Sequence, residues 1–115
     1  MAIAAKSVRI TLFKSRYNPL KITIDGVDNL SGWTAQWVFS ESLSSGGATL
    51  IEKTTSDDIS IDGVVVYVDI WPSDTVSIDP SNTYYHELTL FDTESNPRVA
   101  VYGDDCILRD TVTLT

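Results

Sequence analysis

The segment Trp33-Thr34-Ala35-Gln36-Trp37-Val38-Phe39 decides the fold of this chain. Its odd-numbered positions carry three aromatic rings and an alanine, while polar side chains occupy most of the positions between them. Alternation with a period of two is typical of a β-strand that buries one face. Because no other stretch of the sequence carries as much aromatic bulk on one side, we predict that residues 33–39 form the central core strand.

The same alternation recurs on both sides of this segment. It predicts further strands at residues 8–12, 20–24, 48–54, 59–61, 64–71, 83–91, 99–102 and 107–114. Short strands at this spacing, with no segment of helical period, are typical of immunoglobulin-type sandwiches. The sequence therefore predicts an all-β protein, an antiparallel immunoglobulin-like β-sandwich of about seven to nine strands.

Charged and turn-forming residues refine this picture. Glu52 and Lys53 predict that strand 48–54 lies at the edge of a sheet, since edge charges deter pairing with another chain. Asp62-Gly63 predicts a hairpin turn between two strands. Residues 72–81 contain two prolines and predict a crossover loop, in which Ser73 caps a single helical turn.

Length and charge limit the function classes. The 115 residues fit one domain, and we expect residues 1–6 to form an N-terminal arm ahead of a single sandwich domain at residues 7–115. A net charge of -8 opposes binding to nucleic acid or to an acidic membrane surface. The sequence opens without a secretory signal pattern and contains no run as apolar as a membrane span, so we expect synthesis in the cytosol.

The sequence offers little for catalysis. His86 is the only histidine, and no serine stands in a Gly-x-Ser-x-Gly pattern. Because His86 lies between Tyr84 and Leu88 on a mostly apolar strand face, we expect it to be a packed or hydrogen-bonded structural residue. Cys106 is the only cysteine, which excludes an internal disulfide and a thiolate zinc site, and we expect it to be buried. These observations predict a non-enzymatic protein without a cofactor.

Two acidic clusters leave a choice open. They consist of Asp57, Asp58 and Asp62, and of Asp104, Asp105 and Asp110. Loop carboxylates of this kind are ligands for Ca²⁺, although neither cluster has EF-hand spacing. Aspartate is also a preferred turn residue, and the sequence favours this second interpretation, with solvated turns and no metal.

An unusual apolar pattern points to a docking surface. In the predicted strand 64–71, Val65, Tyr67 and Trp71 make the second face apolar as well, and the long strand 83–91 adds Tyr85 and Phe91 to its own second face. A free sandwich places polar groups on such faces. A covering loop or a simple preference for β-branched residues explains the pattern, and so does a protein interface, where Tyr, Trp and Phe are enriched. We predict an interface at these five residues.

Several short motifs follow one another in a familiar order. They are Lys6-Ser7-Val8-Arg9-Ile10, Asn29-Leu30-Ser31-Gly32-Trp33-Thr34-Ala35-Gln36, Asp62-Gly63-Val64-Val65-Val66, Asp74-Thr75, Thr83-Tyr84-Tyr85-His86-Glu87-Leu88 and Leu108-Arg109-Asp110-Thr111-Val112-Thr113. Together they resemble the small immunoglobulin-like domain that begins baseplate upper proteins and recurs as small virion proteins of tailed bacteriophages. Asn82 and the turn Glu94-Ser95-Asn96-Pro97 depart from the glycines common in that family.

The resemblance implies a structural component of a phage particle, in the tail, baseplate, fibre attachment or head surface. It implies an adaptor that is made in the bacterial host cytoplasm, ends in the virion, and binds other phage structural proteins and copies of itself. A carbohydrate- or host-surface-binding module that uses exposed Trp and Tyr rings is the alternative, and a hydrolase is a further one.

Overall fold

The computed structural model describes residues 5–42 and 48–111. Within these two ranges the secondary-structure elements are β1 (Lys6–Ser7), β2 (Thr11–Phe13), β3 (Asn18–Thr23), β4 (Thr34–Ser40), β5 (Thr49–Thr54), β6 (Ile59–Asp62), β7 (Val65–Ile70), α1 (Pro72–Thr75), β8 (Thr83–Phe91) and β9 (Pro97–Arg109). The prediction of an all-β chain is confirmed, and α1 is a single helical turn.

The strands form two sheets. The larger sheet has the order β1-β9-β8-β4-β5, with β2 also paired to β9, and the smaller sheet has the order β3-β7-β6. Among the described strands the pairs are antiparallel, except that β1 and β2 run parallel to β9. The mainly antiparallel arrangement is confirmed, and an exclusively antiparallel one is wrong. These parallel pairs join strands that are far apart in the sequence, so no short hairpin has to connect them.

The core lies between the sheets and is centred on β4. Trp37 and Phe39 are fully buried, Ala35 nearly so, and Trp33 is partly buried against the same cluster. Strand β4 lies between β5 and β8. Alternate residues of β7 in the smaller sheet belong to the same buried cluster. The aromatic segment is therefore the central core strand, as its alternation predicts.

The first predicted strand, 8–12, is split in two. Strand β1 ends at Ser7 and β2 begins at Thr11. Between them the backbone carbonyl of Val8 accepts a hydrogen bond from Nε2 of His86, at 2.7 Å. Gly103 makes room for this contact, because a Cβ at that position would lie 2.1 Å from the Val8 oxygen.

Lys6, the last residue of the predicted N-terminal arm, lies in a strand. Lys6 belongs to β1 and pairs with Val101 of β9, so the sheet begins before residue 7. Residues 1–4 of the predicted arm lie outside the described residues, and Ala5 precedes the first strand.

The two predicted strands at 99–102 and 107–114 form one long strand, β9. Its pairing with β8 shifts register twice, and Asp105 at one of these irregularities has a φ of 57°. A bulge inserts an extra residue and changes the phase of the side chains. Gly103-Asp104-Asp105 therefore has the composition of a turn but forms a bulge, and the strand continues through it. Residues 112–114 of the prediction lie outside the described residues.

The helical turn in the crossover between the sheets is confirmed, but its predicted cap is wrong. Trp71 is the N-cap residue, and Ser73 lies inside α1. The carboxylate of Asp74 accepts the backbone N–H of Trp71 at 2.7 Å, which satisfies the start of the turn in place of a serine side chain. Across the described residues, no helix is long and apolar enough to cross a membrane.

Candidate functional site

The exposed face of the smaller sheet carries part of the predicted interface. The even-numbered residues of β7 are fully buried, whereas Tyr67 and Trp71 on the alternate positions are 37% and 42% exposed. Val65, on the same side, is half-buried. Because successive side chains of a strand point to opposite faces, the alternation places both aromatic rings on the solvent side, as predicted.

Tyr17 extends this surface, and the sequence analysis missed it. Its ring stacks on Trp71 with the centroids 4.9 Å apart and the planes inclined by 19°. Its hydroxyl donates to the carboxylate of Asp69 at 2.5 Å, and this hydrogen bond raises the pKa of Tyr17. Tyr17 lies in the turn before β3, where no alternation marks it, and the pairing of β3 with β7 brings it to Trp71. We call Tyr17, Tyr67 and Trp71 the aromatic face.

Trp71 is held at its backbone and at its side chain. Its backbone N–H donates to Asp74, and its ring stacks on Tyr17. Hydrogen bonds from Lys53 and from the Trp71 side chain lower the pKa of Asp58. A side chain fixed in this way before binding has little conformational entropy left to lose, which favours its use as an anchor.

Lys53 lies beneath this surface. The predicted edge position of its strand is confirmed, but Lys53 is not a charge exposed at that edge. Strand β5 is at the edge of its sheet, but the Lys53 side chain is only 6% exposed. Its Nζ lies 2.8 Å from a carboxylate oxygen of Asp58 and 2.8 Å from one of Asp74. Burial lowers the pKa of Lys53, but the hydrogen bonds to the two carboxylates outweigh burial and the net shift is upward. Lys53 thus ties β5 to the two acids that hold Trp71.

Tyr85 and Phe91 do not join the aromatic face. They lie on β8, which belongs to the larger sheet, so their outward side is turned away from the outward side of β7. The five predicted residues therefore lie on two different sheets, and their role as an interface stays a prediction. Tyr85 is only 5% exposed, and its hydroxyl donates to Glu87 at 2.8 Å. Burial and this hydrogen bond raise the pKa of Tyr85. Phe91 is half-buried. The crossover through α1 places β7 and β8 in different sheets, which separates these two residues from Tyr67 and Trp71.

The residues of the acidic clusters are spread over strands, strand connections and ion pairs. Within residues 5–42 and 48–111, no group of three His, Cys, Asp or Glu side chains is arranged to hold a metal ion. Asp58 pairs with Lys53, and Asp105 lies 4.0 Å from Arg9. Asp58 and Asp105 both have positive φ, at 72° and 57°. Aspartate tolerates such backbone conformations better than most residues, but the predicted turns are only partly found, since Asp62 lies in β6 and Asp104 and Asp105 lie in β9.

His86 and Cys106 are both fully buried, as predicted. Nδ1 of His86 accepts the indole N–H of Trp37 at 3.1 Å, while Nε2 donates to the carbonyl of Val8. Burial lowers the pKa of His86, which favours its neutral form, and burial raises the pKa of the Cys106 thiol. The thiol donates to the carbonyl of Gly103 at 3.3 Å. The His86 side chain therefore joins β8 to β4 and to the segment at Val8, while the Cys106 hydrogen bond stays within β9.

No model of a known protein family matches this sequence, and no curated protein matches it either. The functional assignment therefore depends on the fold, the aromatic face and the resemblance of the motifs.

Proposed function

We propose that this chain is an immunoglobulin-like, non-enzymatic adaptor of a tailed-phage particle that binds other structural proteins of the particle, and copies of itself, through the aromatic face. In this proposal the chain is made in the host cytoplasm and ends in the virion. The observation that carries the proposal is the exposed Tyr17–Trp71 stack, which is fixed in place without a ligand.

The strand order supports the immunoglobulin-like part of the proposal. In variable-type immunoglobulin domains, strands G, F, C and C′ form one sheet, and strands B, E and D lie in the other. If β3 to β9 are taken in chain order as B, C, C′, D, E, F and G, the larger sheet has the order G-F-C-C′ and the smaller sheet B-E-D.

Two core contacts support it as well. Tyr84, at the start of β8, donates its hydroxyl to the backbone carbonyl of Asp79, which is the arrangement of a tyrosine corner. Trp37 is fully buried on β4, where immunoglobulin domains carry a buried tryptophan on strand C. His86 stands two residues after Tyr84, at the place of the second core cysteine of antibody domains, and it is hydrogen-bonded to Trp37.

The chemistry of the aromatic face supports docking to protein. Tyr and Trp are enriched at protein interfaces and dominate their energetics, because they bury large apolar area while their polar atoms keep hydrogen bonds. Tyr17 and Trp71 already satisfy a hydroxyl and an indole through Asp69 and Asp58. In a particle with many copies, modest contacts at each subunit add up through avidity.

Incorporation into particles tests the proposal. Tyr67→Ser should fold and yet be lost from purified particles. Tyr102→Ser is the matched control, since Tyr102 is 38% exposed against 37% for Tyr67 but lies on the larger sheet opposite Glu87. We expect the control to be incorporated like the wild type. Equal incorporation of both variants, or the absence of the wild-type chain from particles, contradicts the proposal.

Binding of carbohydrate is the second candidate. The Tyr17–Trp71 stack and the neighbouring Asp69 carboxylate favour it, because sugars are bound by an apolar ring face beside a hydrogen-bond acceptor. Titration of the purified chain with a glycan panel, followed by indole NMR signals, distinguishes the two functions. A saturable shift of the Trp71 signal that is lost in Tyr17→Ser favours a glycan site, and an unchanged signal favours the adaptor.

A further inference from the structure

His86 joins three parts of the larger sheet. From β8 it reaches Trp37 on β4 at 3.1 Å and the carbonyl of Val8, between β1 and β2, at 2.7 Å. A carbonyl oxygen only accepts, so Nε2 of His86 carries a proton. The indole N–H of Trp37 only donates, so Nδ1 carries none. The two contacts together fix the neutral Nε2–H tautomer.

A second proton disrupts this arrangement. It must bind to Nδ1, where it faces the indole N–H of Trp37 and turns an acceptor into a donor. The charge strengthens the hydrogen bond to Val8, but burial of a cation at a fully buried position costs more, and the net effect on the pKa of His86 is downward. This cost of burying the cation is removed only if water can reach the imidazolium.

The first strand is the element best placed to give way. Strands β1 and β2 contain two and three residues and pair only with β9 among the described strands, at the edge of the sheet. Strands β4 and β8, which carry Trp37 and His86, pair along seven positions in the centre of the sheet. A groove lined by Val8, Ile10 and His86 on one side and by Leu20 and Ile22 of β3 on the other runs directly beside the first strand.

We propose that His86 is an acid-sensitive latch for the first strand. In its neutral form it holds the segment from β1 to β2 against β9, and in its protonated form it lets this segment open. Opening bares the edge of β9, and an unpaired strand edge is a template for pairing with another strand. The inference does not depend on the proposed function, because none of its evidence involves the aromatic face.

Burial, and not the surrounding charges, opposes an imidazolium at this site. The charged and titratable groups near it are Lys6 and Arg9 on the first-strand segment, Lys21 on β3, Glu87 on β8, and Asp104, Asp105 and Cys106 on β9. Glu87 favours the cation. Lys6 and Lys21 line the same groove as His86, and the charge of Lys6 is offset by its ion pair with Asp25. Arg9 pairs with Asp105, and the buried thiol of Cys106 stays protonated.

Hydrogen exchange of the whole chain between pH 8 and pH 4.5 tests the latch. The reporting amides are those of Val8 and Lys14, which donate to Tyr102 and Arg109 of β9. We expect these two amides to exchange through a local opening of the first strand. This opening should cost less free energy than the one that exposes the amides between β4 and β8. Below about pH 6.5 their protection factors should fall by up to tenfold per pH unit, as the binding of one proton requires.

His86→Gln is the matched variant. Its side-chain amide can donate to Val8 and accept from Trp37, but it does not titrate in this range. We expect the same fold at pH 8 and protection factors of Val8 and Lys14 that no longer fall with acid. The proposal is overturned if this variant keeps the wild-type pH dependence. It is overturned as well if the two amides are always as protected as the central ladder.

Two further measurements keep the test decisive if His86→Gln does not fold. In the wild type, imidazole ¹⁵N signals should show the Nε2–H tautomer at pH 8 and should titrate together with the opening; titration without opening overturns the latch. Gly103→Ala places a methyl group against the Val8 oxygen and should open the first strand already at pH 8. Gly63→Ala controls for general destabilisation, because nothing lies within 4 Å of a Cβ there and its cost is the backbone strain of an alanine at a φ of 63°. Unchanged protection of Val8 and Lys14 in Gly103→Ala contradicts the proposal.

Discussion

The indole N–H of Trp37 donates to Nδ1 of His86 across 3.1 Å, inside the core and between two adjacent central strands. Both side chains are fully buried. Under the immunoglobulin-like fold proposed above, this is the place where antibody domains pack a tryptophan against a disulfide. In this chain, which has one cysteine, a neutral histidine is hydrogen-bonded to the ring. The pair makes several properties of the fold testable.

Loss of this hydrogen bond should destabilise the domain. Trp37→Phe leaves Nδ1 of His86 buried without a donor, which costs about 1–3 kcal/mol in addition to the smaller ring. Urea unfolding measures the change in the free energy of unfolding. Trp33→Phe is the control, because Trp33 is only partly buried and should cost less. Equal losses in the two variants contradict a specific role for the Trp37–His86 contact.

The stability of the domain should depend on pH through His86. Burial holds the pKa of His86 below its usual 6.5, so the unfolded chain binds this proton first. The contribution is complete above about pH 6.5 and is lost as the pH falls below it. Urea midpoints at pH 8, 6.5 and 5 should therefore decline in the wild type.

The decline should be absent between pH 8 and pH 5 in His86→Gln. Carboxyl groups with lowered pKa, such as Asp58 and Asp92, act in a different window, since their stabilisation is lost only as the pH falls below about 3.8. If the urea midpoint also declines between pH 8 and pH 5 in His86→Gln, another titrating group causes the decline.

Removal of the buried lysine should loosen the support of the aromatic face. Lys53→Met leaves the carboxylates of Asp58 and Asp74 without their cation. We expect a loss of stability well above the about 0.5 kcal/mol of a typical surface substitution, and a shift of the Trp71 indole NMR signal. Lys21→Met, at an exposed position of β3, should change neither quantity. An unmoved Trp71 signal in Lys53→Met contradicts the link between the ion pairs and the ring.

The stack and the hydroxyl of Tyr17 should be separable. Tyr17→Phe keeps the ring on Trp71 and removes only the hydrogen bond to Asp69, whereas Tyr17→Ser removes both. We therefore expect a small shift of the Trp71 indole signal in the first variant and a large ring-current shift in the second, with little change in overall stability. Equal shifts in both variants contradict the stacked geometry.

Local patterns predict much of this fold. Alternation identifies the buried face of β4 and of β7, and it places Tyr67 and Trp71 toward solvent. The turn Asp62-Gly63 between β6 and β7 is found where predicted, with Gly63 at a φ of 63°. These features depend on neighbours in the chain, and the sequence contains that information.

The remaining features depend on contacts between distant segments. Tyr17 is part of the aromatic face only because the register of β3 against β7 brings it to Trp71. Lys53 is buried because two carboxylates from other elements meet it there, although its charge alone favours exposure. Tyr85 lies in the other sheet from Tyr67, since membership in a sheet is decided by pairing that alternation does not specify.

Oxidative footprinting of the chain, free and in assembled particles, tests the docking of the aromatic face most directly. Tyr17, Tyr67 and Trp71 are 49%, 37% and 42% exposed in the free chain, so all three should be labelled there. In particles their labelling should fall strongly, while that of Tyr102 on the larger sheet should fall less. Equal labelling of the three rings in the free chain and in particles would contradict the account.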